Sequence, residues 1–155
     1  WLLGAAVLAL WLRFEERLAA AWSGLSTAGR AGVSVLGPLA LALLLPPDRA
    51  GHYPNAFGAV VGGTLMGAGL GTLVEARWAR FRVDGSVGRR VARYVVGIAL
   101  VGLVYVAGGL IPDLEPWMLH QSVRMVRYAA VALTAIGVAP WLFVRLRLAE
   151  SDLRP

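Results

Sequence analysis

Side chains able to make or break a bond are scarce in this chain. The histidines are His52, in His52-Tyr53-Pro54-Asn55, and His120, in His120-Gln121-Ser122. His52 could serve as a general base, but both read as solvated residues of outer connections, His120 where the chain enters its last helix. There is no Cys, and neither histidine makes a metal site with its neighbours. Ser26, Ser34, Ser86 and Ser122 lack the flanking glycines of a nucleophile elbow. No phosphate-cradling loop, Walker motif or dinucleotide fingerprint occurs. The sequence therefore assigns no catalytic, cofactor-binding or metal-binding residue.

What the chain offers in quantity is arginine. All fifteen basic residues are Arg, against nine acids, for a formal charge of +6. The densest stretch is Arg77-Trp78-Ala79-Arg80-Phe81-Arg82, followed by Arg89, Arg90 and Arg93. Beside an anionic leaflet each Arg contributes about 1 kcal/mol of attraction, and interleaved aromatics suit a segment lying on headgroups. Interface anchoring and topology alone would use the same pattern. Val83-Asp84-Gly85-Ser86 reads as a turn, with Asp84 or Ser86 as a cap for the next helix. Arg124 and Arg127, three apart, share a helical face and could bind an anionic headgroup or phosphate; the alternative is pairing with Asp113 or Glu115. Arg30 precedes a long apolar run and can snorkel to the interface.

Glycine supplies the other pattern. Gly58/Gly62, Gly63/Gly67 and Gly67/Gly71 are pairs at spacing four, one helical turn apart, which allows close backbone approach. Such a stripe fits a dimerisation seam, a lipid-tail groove or packing inside a bundle.

The elements that must position these residues follow from composition. Of 155 residues, 58% are hydrophobic and 15% charged, where a soluble domain has about 45–50% and about 25%. That excess exceeds what one small core can hide. A soluble enzyme, a disulfide scaffold and a disordered tail are thereby excluded. Five apolar segments are read: Trp1–Leu12, ended by Arg13-Phe14-Glu15-Glu16-Arg17, then about 31–45, 56–74, 91–111 and 129–144. None alternates with period two, so all read as helices. The first is short of the about 20 residues a span needs.

The predicted fold is all-α, a polytopic transmembrane helix bundle of four full spans plus one truncated N-terminal span. Its expected divisions are 1–22 (truncated span and inner helix end), 23–76 (first hairpin), 77–90 (basic cytoplasmic loop), 91–148 (second hairpin) and 149–155 (cytoplasmic tail). Both hairpins turn after Pro-Asp, at Pro47-Asp48 and Pro112-Asp113, a short shared feature compatible with a parallel repeat.

Twelve arginines (Arg13, Arg17, Arg30, Arg77, Arg80, Arg82, Arg89, Arg90, Arg93, Arg145, Arg147 and Arg154) fall on one side of these spans, and Arg49, Arg124 and Arg127 on the other. The positive-inside rule then places the amino end outside and the carboxyl end in the cytoplasm. The charge is an orientation signal, since nucleic-acid binding needs a basic face with no membrane beside it. Apolar spans without Asp or Glu argue against a proton relay or an ion-coupled transporter.

The segment order resembles the carboxyl-terminal membrane region of long bacterial members of the type 2 phosphatidic acid phosphatase family. The opening Trp1-Leu2-Leu3-Gly4-Ala5-Ala6 looks like the start of that family's last core helix. Phe57-Gly58-Ala59 through Leu70-Gly71, Arg80-Phe81-Arg82-Val83-Asp84-Gly85, Arg93-Tyr94, and Arg127-Tyr128 through Ala139-Pro140-Trp141-Leu142-Phe143 resemble the extension that follows it. The family's chemistry uses a Lys and Arg motif, a Pro-Ser-Gly-His motif and a Ser-Arg motif with a distal His and Asp. This chain has no Lys and no Ser-Gly-His, so no catalytic residue carries over.

The resemblance implies a non-catalytic extension in a bacterial cytoplasmic membrane, inactive alone, that scaffolds the enzyme or shapes lipid access. Its expected partners are membrane lipids and the rest of a longer chain, a homodimer mate or a larger membrane complex, with no nucleic acid and no cofactor. The alternative is a small accessory subunit of a larger membrane complex.

Overall fold

The computed structural model describes residues 1–112 and 115–152, with the backbone alone at Leu3. Asp113 and Arg154, singled out above, lie outside the described residues. The chain divides into two compact units, residues 1–30 and 31–155.

The first unit is dominated by α1, Leu2–Gly24. The sequence suggested an end at Leu12, but the helix continues through Arg13-Phe14-Glu15-Glu16-Arg17. Arg and Glu are good helix formers, and Arg13 with Glu16 and Arg17 occupies neighbouring positions on one exposed face. The end of α1 is closed by Arg30, whose Nε donates to the Trp22 carbonyl at 3.1 Å and whose Nη2 donates to that of Ser23 at 2.9 Å. Arg30 therefore serves helix-terminal carbonyls, a use of arginine that spacing did not reveal.

The remaining helices are α2 (Thr27–Leu44), α3 (Ala56–Trp78), α4 (Val87–Gly109), α5 (Trp117–Leu133) and α6 (Ala139–Arg145). A π-helical turn, Thr134–Val138, joins α5 to α6 into one run. Among the described residues, four helical stretches are long and apolar enough to cross a membrane: 27–44, 56–78, 87–109 and the joined 117–145. α1 is not among them, because its charged run interrupts the apolar window. The protein is thus an all-helical membrane protein with four candidate spans.

The last span starts at Trp117, twelve residues before the expected Ala129. Its first three turns hold His120, Gln121, Arg124 and Arg127, which lower the apolar content without breaking the helix. Its buried face is Gln121, Met125 and Ala132, at the spacing of a single helical stripe.

α3 is the centre of the second unit. Asn55 caps its start, accepting from the Gly58 N–H at 2.6 Å. Glu75 organises its end: its carbonyl accepts from the Ala79 and Arg80 N–H groups, and its carboxylate from the Phe81 N–H at 3.2 Å. Arg80 takes the left-handed conformation (φ 36°) in which many helices terminate.

The glycines of α3 divide between two neighbours. A Cβ at Gly58 would lie 3.1 Å from the Ala42 carbonyl oxygen, and at Gly62 3.0 Å from that of Pro38, both in α2. A Cβ at Gly63 would overlap the Met125 carbonyl oxygen, and at Gly67 that of Ala129, both in α5. At Gly71 it would sit 3.3 Å from the Gly137 nitrogen in the π turn. The stripe thus lets α3 touch backbone on two sides within the chain. The π turn has a local cause: the Ala139 N–H reaches back five residues to Thr134, and Pro140 has no N–H to offer.

Candidate functional site

The charged side chains of the second unit gather at its two ends. At one end the connection 79–86 is pinned by the segment after α6. The Arg82 N–H donates to the Glu150 carbonyl at 2.8 Å, the Asp152 N–H to that of Arg80 at 3.0 Å, and the Ser151 hydroxyl to that of Ala79 at 2.6 Å. Beneath this, Phe81 meets Phe143 edge-on at 6.5 Å, and Ala79, Ala139 and Ala149 are buried. The basic connection is therefore a folded platform.

Arg93 holds that platform from α4. It is buried, 7% exposed, and its guanidinium donates to the carbonyls of Arg82 (3.1 Å), Val83 (2.7 Å) and Asp84 (3.3 Å). The basic stretch predicts Arg93 among the headgroup-facing arginines; the structure turns it inward, where one planar guanidinium reaches three loop carbonyls together. Arg77, Arg80, Arg82, Arg89 and Arg90 are exposed. Arg82 lies 3.2 Å from Asp84 and 3.5 Å from Asp152, Arg89 lies 3.9 Å from Glu150, and Arg90 Nε donates to the Gly85 carbonyl. Ser86 occupies the N-cap of α4 but makes no capping side-chain bond.

The opposite end joins the loop 45–55 to the start of α5. Asp48 accepts from the Ala50 and His52 N–H groups, each at 2.9 Å, and lies 3.2 Å from His52 Nδ1. The His52 ring stacks on Trp117 at 4.5 Å, and the Trp117 indole donates to the Pro54 carbonyl at 2.9 Å. His52 is therefore fixed between a carboxylate and an indole. The signal that sequence reasoning missed was Asp48, four residues upstream in a non-helical loop.

Bonding to the His52 N–H, against opposing desolvation, holds the Asp48 carboxyl below the usual aspartate range, with the His52 ring and the Ala50 N–H adding to it. A depressed folded-state value favours the folded loop above the ordinary aspartate range; that contribution is lost as pH falls through the lowered value. Acidification to about pH 3 is accordingly expected to speed amide exchange in residues 48–52, corrected for intrinsic rates. Asp48→Asn should abolish that pH response. Trp117→Phe, which loses the bond to Pro54, is expected to destabilise the bundle by about 1 kcal/mol. Thermal melting in detergent reads that loss; an unchanged melting temperature would contradict it.

The structure brings His120, Arg124 and Arg127 together on α5, at i, i+4 and i+7 of one stripe. His120, expected in a loop entering the last helix, stands inside α5, and Arg124 and Arg127, expected on one helical face, lie on it too. A small polar cavity of about 100 Å³ opens among them, lined also by Gly108, Gly109 and Pro112 of the α4 end. Arg127 lies over the Tyr105 ring, its guanidinium carbon 4.4 Å from the centroid. Of the expected carboxylate partners, Asp113 is outside the described residues, and Glu115 forms no ion pair within 4.0 Å with either arginine. Among the described residues no group of three or more His, Cys, Asp or Glu could hold a metal ion.

A family model described as "PAP2 superfamily phosphatase, transmembrane extension" matches residues 59–151. No curated protein and no solved structure matches the chain.

Proposed function

From the premise that this chain belongs to the transmembrane-extension family of PAP2 superfamily phosphatases, we propose that it is a non-catalytic membrane scaffold beside a lipid-phosphate phosphatase core. Its role is to support the core and shape the approach of a phosphatidic acid or polyprenyl pyrophosphate substrate. The observation that carries this reading is that the matched stretch falls within one interlocked unit. Residues 59–151 run from the first turn of α3, through its glycine contacts with α5, to the pinned segment after α6, a packed wall for a neighbour to lean on. Its membrane is proposed to be the bacterial cytoplasmic membrane, with the platform of Arg77, Arg80, Arg82, Arg89 and Arg90 on the cytoplasmic leaflet, following the arginine asymmetry.

Phosphate release from both lipid classes tests the role. The chain alone is expected to release none, and the intact parent protein to release phosphate with a rate that falls when the α3–α5 packing is broken. Hydrolysis by the isolated chain would overturn the non-catalytic reading. Isolation of the chain in a stoichiometric large complex without a phosphatase core would favour an accessory subunit instead. Because the chain has no Cys, single cysteines at Ser86 and Ala50 report sidedness cleanly. Labelling of Ser86→Cys from the outside would overturn the proposed orientation.

A further inference from the structure

We propose that the end of α4 and the first turns of α5 bind one anionic phospholipid of the surrounding bilayer. Its phosphate lies between Arg124 and Arg127, and an acyl chain occupies the adjoining groove. The site does not depend on the phosphatase reading, because a lipid can be held here whatever the neighbouring core does.

The arginines are set for a ligand. Arg127 is pressed flat against the α4 end, where a Cβ at Gly108 would stand 2.7 Å from its Cγ and one at Gly109 3.0 Å from its Nη2. The Tyr105 face beneath it fixes the guanidinium plane. Its Nε is buried without a hydrogen-bond acceptor among the described residues, an expensive condition for a charged donor inside a membrane helix. Arg124, one turn away, lines the same small cavity. The partial negative charge at the α4 C-terminus attracts Arg127, but it accounts for neither Arg124 nor the open cavity.

The second half of the site is apolar. From Arg127 and Gly108, which line both spaces, a groove of about 520 Å³ runs along Val104, Ala107, Val126 and Ala130. A cationic cradle opening onto a hydrocarbon-lined groove matches an amphiphile with a phosphate at one end. A soluble anion would use the cradle and leave the groove without a role.

Native mass spectrometry of the full chain tests this, with phosphatidylglycerol, phosphatidylcholine of the same chains, and inorganic phosphate added separately. Phosphatidylglycerol is expected to be retained over phosphatidylcholine. Arg124→Gln and Arg127→Gln should each reduce its retention about tenfold, the factor for one charge-assisted hydrogen bond. Arg49→Gln, which lines neither the cradle nor the groove, should leave it unchanged. Arg124→Gln keeps the test open if Arg127→Gln fails to fold, because Arg124 does not carry the Tyr105 contact. Ala107→Trp, which fills the groove, should also lower retention. Equal retention of both lipids, or full retention in Arg124→Gln, would overturn the proposal. Inorganic phosphate saturating the chain where phosphatidylglycerol does not bind would assign the cradle to a soluble anion and overturn it as well.

Discussion

Gly67→Ala is expected to force α5 away from α3. The added methyl would overlap the Ala129 carbonyl oxygen and lie 2.8 Å from the Ala129 Cα. The obstacle is helix backbone, which cannot turn aside as a long side chain can. Overpacking typically costs about 1–3 kcal/mol, and a collision with backbone belongs at or above the upper end. The same change at Gly102, where nothing stands within 4 Å of the new carbon, should cost less than about 0.5 kcal/mol. Unfolding of the two variants by a denaturing detergent, followed by circular dichroism, separates these outcomes. Equal midpoints would mean that the α3–α5 seam yields freely. The comparison matters because lipid hydrocarbon is as apolar as a helix surface, so close packing does much of the holding.

Arg93→Met should have the next largest effect, at the other level of organisation. The substitution keeps much of the side-chain bulk but removes every donor from the Arg82, Val83 and Asp84 carbonyls. Hydrogen bonds to a charged group are worth about 1.5–3 kcal/mol each, and part of this loss will be recovered by water entering the loop. A destabilisation of about 3 kcal/mol is expected, concentrated in residues 79–90. Trypsin cleavage after Arg82 and Arg89 should accelerate while the helical content remains. Arg93→Lys should restore part of the protection, because one ammonium cannot span the three acceptors as a planar fork does. Cleavage at the original rate would show that the C-terminal segment alone suffices to hold the loop.

These two residues mark how far sequence alone could go. The helical character, the four spans and the family were legible in long apolar runs and in the order of small motifs. Gly63 and Gly67 were visible as a pair with Gly71, but spacing cannot tell which neighbour occupies a groove. Only the positions of Met125 and Ala129 decide that. Arg93 was indistinguishable from Arg89 and Arg90 in a basic stretch, because the carbonyls it serves belong to a loop whose path depends on the segment after α6. The start of α5 was misplaced for a related reason. Hydropathy fell at His120, Gln121, Arg124 and Arg127, although their phase on the helix kept an apolar face beside the polar one. Counting residues by face would have extended the span to Trp117.

The π turn between α5 and α6 has a consequence for changes of chain length. Such a turn contains one residue more than the α-helical turn it replaces. Removing one residue from Thr134–Val138 would therefore close the run into a plain α-helix while the turns beyond it keep nearly their original phase. Phe143 would still reach Phe81, and the platform would keep its aromatic floor. The same deletion inside the α-helical stretch of α5 would instead rotate everything beyond it by about 100°. The extra residue is thus slack in the chain: taken out where it is stored it changes little, and taken out a turn earlier it re-aims one mouth of the bundle.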